Sequence, residues 1–157
     1  MKTMLRGPYT LEVDYRLSRE ERLANLKVYS AWRLEPYQIC QEERSERVET
    51  YLLNVTVDSK NTTTDEIRQT ITDAGYRPAT FDEMLAFGAT EDIARRPDEE
   101  IFLVICLDQV YTNYSDYFPV IFYHPNPFGP PPRIMGGEMM YLTPENCHRR
   151  HFLVVKK

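Results

Sequence analysis

The sequence predicts a single α+β domain over residues 1–157, in the order strand–helix–strand–helix–helix followed by a mainly antiparallel set of strands. Three observations carry that expectation. Tyr9, Leu11, Val13, Tyr15 and Leu17 alternate strictly with Thr10, Glu12, Asp14 and Arg16, the period of a half-buried strand. Thr63 with Glu66, and Thr80 with Glu83, stand at the spacing at which each side chain satisfies a free backbone donor at a helix start. Ile101 to Leu107 is an unbroken apolar run with β-branched residues, which fits an inner strand covered on both faces.

Along the chain, Ser18 and Glu21 open a helix expected through about Ser30, with Leu23 and Leu26 on its inner side. Trp32, Leu34, Tyr37 and Ile39 have no clear period, and Gln41 to Glu49 reads as an exposed turn entering a strand. Tyr51, Leu53, Val55 and Val57 then alternate as that strand. The helix begun at Thr63 carries Ile67, Ile71 and Ala74. Gly75 supplies a residue suited to a left-handed helix end, and Pro78 blocks continuation. With Phe81, Met84, Leu85 and Phe87 behind Thr80, the segment reads as a tight helix–turn–helix corner. A short third helix is expected over Glu91–Arg96, closed by Pro97. Phe118 to Tyr123 forms a second inner strand, and Met139–Leu142 and Phe152–Val155 are shorter ones. Five prolines within residues 125–132 rule out regular structure there and predict an extended, polyproline-like loop joining two strands. Gly136-Gly137 reads as a turn.

Composition sets the class. Apolar residues make up 42% and charged residues 27%, as in soluble globular proteins. The net charge of −5 divides into −1 for residues 1–79 (12 basic, 13 acidic) and −4 for residues 80–157 (7 basic, 11 acidic). Neither half resembles the basic face of a nucleic-acid-binding protein, so a protein partner is expected ahead of a nucleic acid. Cys40, Cys106 and Cys147 are widely separated and lack zinc-ligand or redox spacing, which points to a reduced, cytoplasmic setting. No apolar run reaches the roughly 18 residues of a membrane span. Asn-x-Ser/Thr triplets at Asn54, Asn61 and Asn113 read as chance matches in that setting.

Several pieces resemble a family of small uncharacterised bacterial proteins abundant in ultra-small candidate-phylum bacteria. They are Thr10-Leu-Glu-Val-Asp-Tyr15 before Leu17-Ser18, Asp65-Glu66-Ile67, Gly75-Tyr-Arg-Pro-Ala-Thr80 with Asp82-Glu-Met-Leu-Ala-Phe-Gly88, and Phe152-Leu-Val-Val155. The Gly-Tyr-Arg-Pro-Ala-Thr piece and the helix after it are the most specific. The chain departs from that pattern at Leu107-Asp108-Gln109, where the family tends to have Leu-Gly-Ser, and at Cys147-His148-Arg149-Arg150, where a tryptophan is common. The Pro-rich loop looks like a local elaboration. This resemblance implies relatives and no activity. The Pro-Ala-Thr-x-x-Glu helix start followed by short strands is also similar to C-type-lectin-like domains, which display variable loops for binding.

Candidate chemistry falls into two groups. Tyr111, Tyr114 and Tyr117 recur every third residue between two strong strands, with Phe128 and Arg133 nearby in sequence. Tyrosine offers large contact area at low entropic cost and is enriched in recognition surfaces, so these five residues form the expected binding set for a macromolecular partner. The same rings also suit an ordinary core rim. The second group is His124, Cys147, His148 and His151, from which a small hydrolase or a metal-dependent enzyme can be drawn. Against it, three-residue spacing in a strand sends His148 and His151 to opposite faces, and Arg149 and Arg150 repel a cation. No nucleophile elbow, phosphate-cradling glycine loop or deaminase signature is present, so no cofactor is expected and binding is favoured over catalysis.

Overall fold

A computed structural model describes residues 1–26, 30–32, 34–58, 62–90, 102–112, 116–123, 133–139 and 142–157. In chain order the elements are β1 (Lys2–Asp14), α1 (Arg19–Asn25), β2 (Ser30–Trp32), β3 (Ser45–Thr56), α2 (Thr64–Asp73), β4 (Tyr76–Pro78), α3 (Phe81–Gly88), β5 (Phe102–Ile105), β6 (Tyr111–Thr112), β7 (Asp116–Tyr123), β8 (Arg133–Met139), a 3-10 turn (Cys147–Arg149) and β9 (Arg150–Lys156). The fold class is α+β, and the strands form one mixed sheet in the order β1-β3-β9-β5-β7-β8-β2. β5 runs parallel to β9, and β2 parallel to β8, while the other pairings are antiparallel.

Period-two side chains divide the core between two faces. Leu11, Val13, Leu52, Val104, Ile121 and Leu153 pack on one face with Phe81, Met84 and Phe87 of α3. Leu53, Val55, Leu103, Ile105, Val120 and Phe152 pack on the other with Ile67 and Ile71 of α2. Helices on both sides explain why β5 and β9 are apolar at successive positions rather than at alternate ones. The expected inner placement of the Ile101–Leu107 run is borne out, with β5 lying between β9 and β7.

The corner between α2 and α3 differs from its reading as a helix–turn–helix. Both capping boxes are present, at Thr63 with Glu66 and at Thr80 with Glu83. Gly75 has φ +88°, the left-handed conformation that a helix end asks of glycine. Tyr76–Pro78 does not merely stop the first helix, however. It pairs with β9 as β4, Ala79 N–H donates to the Leu153 carbonyl at 2.9 Å, and Lys157 N–H donates to the Gly75 carbonyl at 3.1 Å. The chain thereby passes from one face of the sheet to the other, and the two helices never pack as a hairpin.

Other boundaries shift for local reasons. β1 begins at Lys2 rather than Tyr9, because Lys2–Arg6 lacks alternation yet pairs with Leu52–Thr56 of β3. The register slips between Arg6 and Tyr9, where a Cβ on Gly7 would stand 3.0 Å from the Thr50 carbonyl oxygen. α1 ends at Asn25, and Ser30 already belongs to β2. Gly136 and Gly137 lie inside β8 instead of a turn, at the register shift opposite Phe118 and Pro119. The expected Glu91–Arg96 helix and the Pro-rich loop lie outside the described residues.

Candidate functional site

The tyrosine set divides along the sheet. β6 and β7 form a short antiparallel pair that places Tyr111 opposite Tyr117, and Tyr117 stands opposite Met139 of β8. Two of the three tyrosines are therefore cross-strand neighbours at one end of β7. Tyr117 is half-buried, and its carbonyl accepts the Tyr37 hydroxyl at 3.1 Å, tying this end to the buried Tyr37. Arg133 pairs with Phe122, five residues along β7, which at about 3.3 Å per residue is some 16 Å from Tyr117. It does not join the tyrosine pair. Tyr114 and Phe128 lie outside the described residues.

The histidine and cysteine group is spread across different environments. His151 is buried in the middle of the sheet, opposite Asn54 on β3 and Val104 on β5. His148 is exposed in the 3-10 turn, and its Nε2 accepts Arg149 Nε at 3.2 Å. Cys147 is buried, with Sγ 3.5 Å from the Pro144 carbonyl. Asn54 holds this turn down by donating its amide to the Cys147 and Arg150 carbonyls at 2.7 and 3.0 Å. Among the described residues no three His, Cys, Asp or Glu side chains gather as a metal site, and His124 lies outside them.

The capping box read from the sequence at the start of α3 is the centre of a wider polar network that local spacing does not reveal. Thr80 Oγ1 accepts Glu83 N–H at 3.1 Å, and Glu83 Oε2 accepts Thr80 N–H at 2.8 Å. Glu83 is nonetheless 2% exposed, and Arg77 neutralises it with two parallel hydrogen bonds of 2.8 and 3.0 Å. Those bonds hold the Arg77 guanidinium above its ordinary pKa. Asp108, just beyond β5, feels the same centre. Partial burial first, then the Glu83 charge, push its carboxyl above the ordinary value, partly offset by Arg77. Beside it, the Cys106 thiol donates to the Ala79 carbonyl at 3.1 Å, and complete burial pushes it up to about 12.

One helix position earlier, Asp82 faces α1. Its Oδ1 accepts Arg22 Nη1 and the Cys40 N–H, the latter at 2.8 Å. Arg22 also donates from Nε to the Leu17 carbonyl (3.2 Å) and from Nη2 to the carbonyls of Tyr15 (3.3 Å) and Cys40 (2.5 Å). Both side chains are nearly dry, at 6% and 8% exposure. This pair forms part of the wall of a cleft of about 230 Å³ between β1, α1 and α3, with Val13, Leu17, Leu85 and Ala89 as apolar lining.

The capping box at Thr80 was legible because its partners are three residues apart. Asp82 and Arg22 are 60 residues apart, and no local pattern pairs them.

No protein-family model matches this chain, and neither a curated protein nor a solved structure matches it. Among the described residues no helix is long and apolar enough to cross a membrane.

Proposed function

We propose that this protein works by binding a macromolecular partner, a protein ahead of a nucleic acid, at the end of the sheet where Tyr111 and Tyr117 face each other across β6 and β7. The cross-strand register that sets Tyr111 against Tyr117, with Met139 next in the row, is the observation that carries this reading. A row of this kind on a sheet concentrates amphipathic contact area on a stiff support, which lowers the ordering cost of association. Tyr114 is adjacent in sequence to this end and belongs to the proposed surface, whereas the Pro-rich loop with Phe128 adjoins in sequence the other end of β7, where Arg133 pairs with Phe122. The net charge of −5 gives no long-range attraction to phosphate, which favours a protein partner. The resemblance of the Gly75–Gly88 piece to uncharacterised bacterial proteins is compatible with this reading and adds no activity to it.

The test is capture of a companion by the tagged protein, with Tyr111→Ala/Tyr117→Ala beside the wild type. A companion held in stoichiometric amount by the wild type and released by the folded double variant supports the surface. Equal capture by both moves the surface elsewhere.

A further inference from the structure

We propose that the outer edge of β1 over residues 2–6 is a docking strip for an extended segment of another protein, one whose apolar residues are flanked by acidic ones. The segment adds to the sheet as a further antiparallel strand. β1 lies four strand positions from β7, roughly 19 Å at about 4.8 Å per strand, so this strip is separate from the tyrosine row.

β1 ends the sheet, and β3 is its one strand partner among the described residues. The register shows which backbone groups that leaves over. Tyr15 N–H donates to the Arg44 carbonyl at 3.0 Å, and the Tyr15 carbonyl accepts Glu42 N–H at 2.9 Å. Tyr15 therefore turns both groups toward the β3 side. Antiparallel pairs alternate, so Val13, Leu11 and Tyr9 do the same, opposite Glu46, Val48 and Thr50. The alternation continues along β3 through Leu52, Asn54 and Thr56, which face Arg6, Met4 and Lys2 as hydrogen-bonded pairs. β9 gives the same parity from the other side. Its Leu153, opposite Leu52, directs its carbonyl to Ala79 N–H at 2.9 Å, away from β3. The N–H and C=O groups of Thr3 and Leu5 thus point outward from the sheet.

The rest of this edge is blunted. Pro8 has no N–H, the register slips beside it, and Glu12 is an exposed charge. Residues 2–6 differ. Met1, Met4 and Leu5, at 53, 54 and 39% exposure, are three of the four large apolar side chains exposed among the described residues. Met4 and Leu5 are successive, so the strip offers apolar contact on both of its faces. Outward backbone groups between exposed apolar side chains suit an added strand, whose main-chain bonds supply affinity and whose side-chain pairs supply selection.

Charge chooses the occupant. Lys2 and Arg6 flank Met4 on one face of the strand. In a second copy paired about Met4, Lys2 would stand opposite Arg6 twice, and like charges directly opposite are destabilising. Acidic residues opposite Lys2 and Arg6, with an apolar residue opposite Met4, are favourable by the same rule. The complementary antiparallel segment therefore reads acidic, apolar, apolar, polar, acidic.

Titration of isotope-labelled protein with acetyl-Glu-Ile-Val-Thr-Glu-amide, followed through the amide signals of residues 2–6, tests the strip. In that peptide Ile and Thr stand opposite Leu5 and Thr3, and Val stands opposite Met4. Three control peptides separate the contributions. N-methylation of Ile and Thr removes the donors aimed at β1, N-methylation of Val alters only the far edge, and Lys in place of both Glu reverses the charge. The expected result is saturable shifts at millimolar peptide or below, little changed by methylation of Val. The other two controls should respond at least about tenfold more weakly. Leu5→Pro removes an outward N–H and no bond to β3, so it keeps the remaining amide spectrum and abolishes the response. Absence of saturable shifts, an equal response to the peptide methylated at Ile and Thr, or shifts that survive Leu5→Pro overturn the strip. An equal response to the Lys peptide overturns the acidic partner. Shifts of the same amides that grow with protein concentration alone overturn it too, and assign the edge to a second copy.

Discussion

Replacing Arg22 by methionine probes the centre of the α1–α3 contact and the cleft at once. Methionine keeps most of the aliphatic stem and removes the guanidinium. Four hydrogen bonds disappear, to Asp82 and to the carbonyls of Leu17, Tyr15 and Cys40. If each acceptor stayed dry and unpaired at about 1–3 kcal/mol, the loss would sum to roughly 4–12 kcal/mol. The cleft lies directly beside these groups, so water reaches part of the set, and the upper half of that range is not realised. What remains is the cost of leaving the nearly dry Asp82 carboxylate without its cation, about 3–5 kcal/mol. Because both partners are under a tenth exposed, solvent screening does not reduce this to the value of a surface pair. Urea unfolding of wild type, Arg22→Met, Asp82→Asn and the double variant gives the four corners of a cycle. The double variant should be less damaged than the sum of the singles, by about 1–3 kcal/mol. A loss below about 1 kcal/mol for Arg22→Met, or strict additivity, would refute the reasoning that this pair is buried and coupled.

Three further outcomes are expected. Asp108 is raised from its ordinary value of 3.8 by burial and by Glu83, so the fold disfavours its ionised form. That penalty is absent in acid, grows as pH rises from the ordinary value through the raised one, and is complete above it. Asp108→Asn should therefore be more stable than wild type near neutral pH, with the gap closing in acid; a gap that widens in acid contradicts the assignment. Under native conditions an alkylating reagent should modify Cys40 first, since Cys106 and Cys147 are buried and the Cys106 thiol is pushed up to about 12. Peptide mapping decides this, and early labelling of Cys147 would revive the catalytic reading of the Cys147–His148 region. Gly75→Ala meets no atom within 4 Å but must hold φ +88°, so it should cost about 1 kcal/mol through backbone strain alone, read by thermal unfolding. A neutral result would mean that the end of α2 relaxes.

How much of this was legible depended on how far apart the partners are in sequence. Thr63 with Glu66 and Thr80 with Glu83 interact across one helical turn, and both helix starts fall where that spacing puts them. The Ile101–Leu107 run announced a doubly covered strand because both of its faces are apolar. Tyr76–Pro78 was misread because three residues carry no periodicity; only β9, arriving some 75 residues later, makes them a strand. Lys2–Arg6 was missed for a related reason, since its pairing is imposed by β3 and not by its own pattern. The site followed the same rule. Tyrosine spacing was visible and the Tyr111–Tyr117 pairing was not, while the Arg22–Asp82 contact has no local signature at all.

We propose that Tyr111 and Tyr117 form part of a surface that recognises another macromolecule. Quantitative capture from lysate by the tagged wild type and by Tyr111→Ala/Tyr117→Ala, with matched amide spectra to establish an unchanged fold, tests it most directly. A recognition surface at Tyr111 and Tyr117 requires one companion in stoichiometric amount with the wild type and its loss with the double variant. A companion retained in full by the variant, or a wild-type protein that comes out alone, would contradict it.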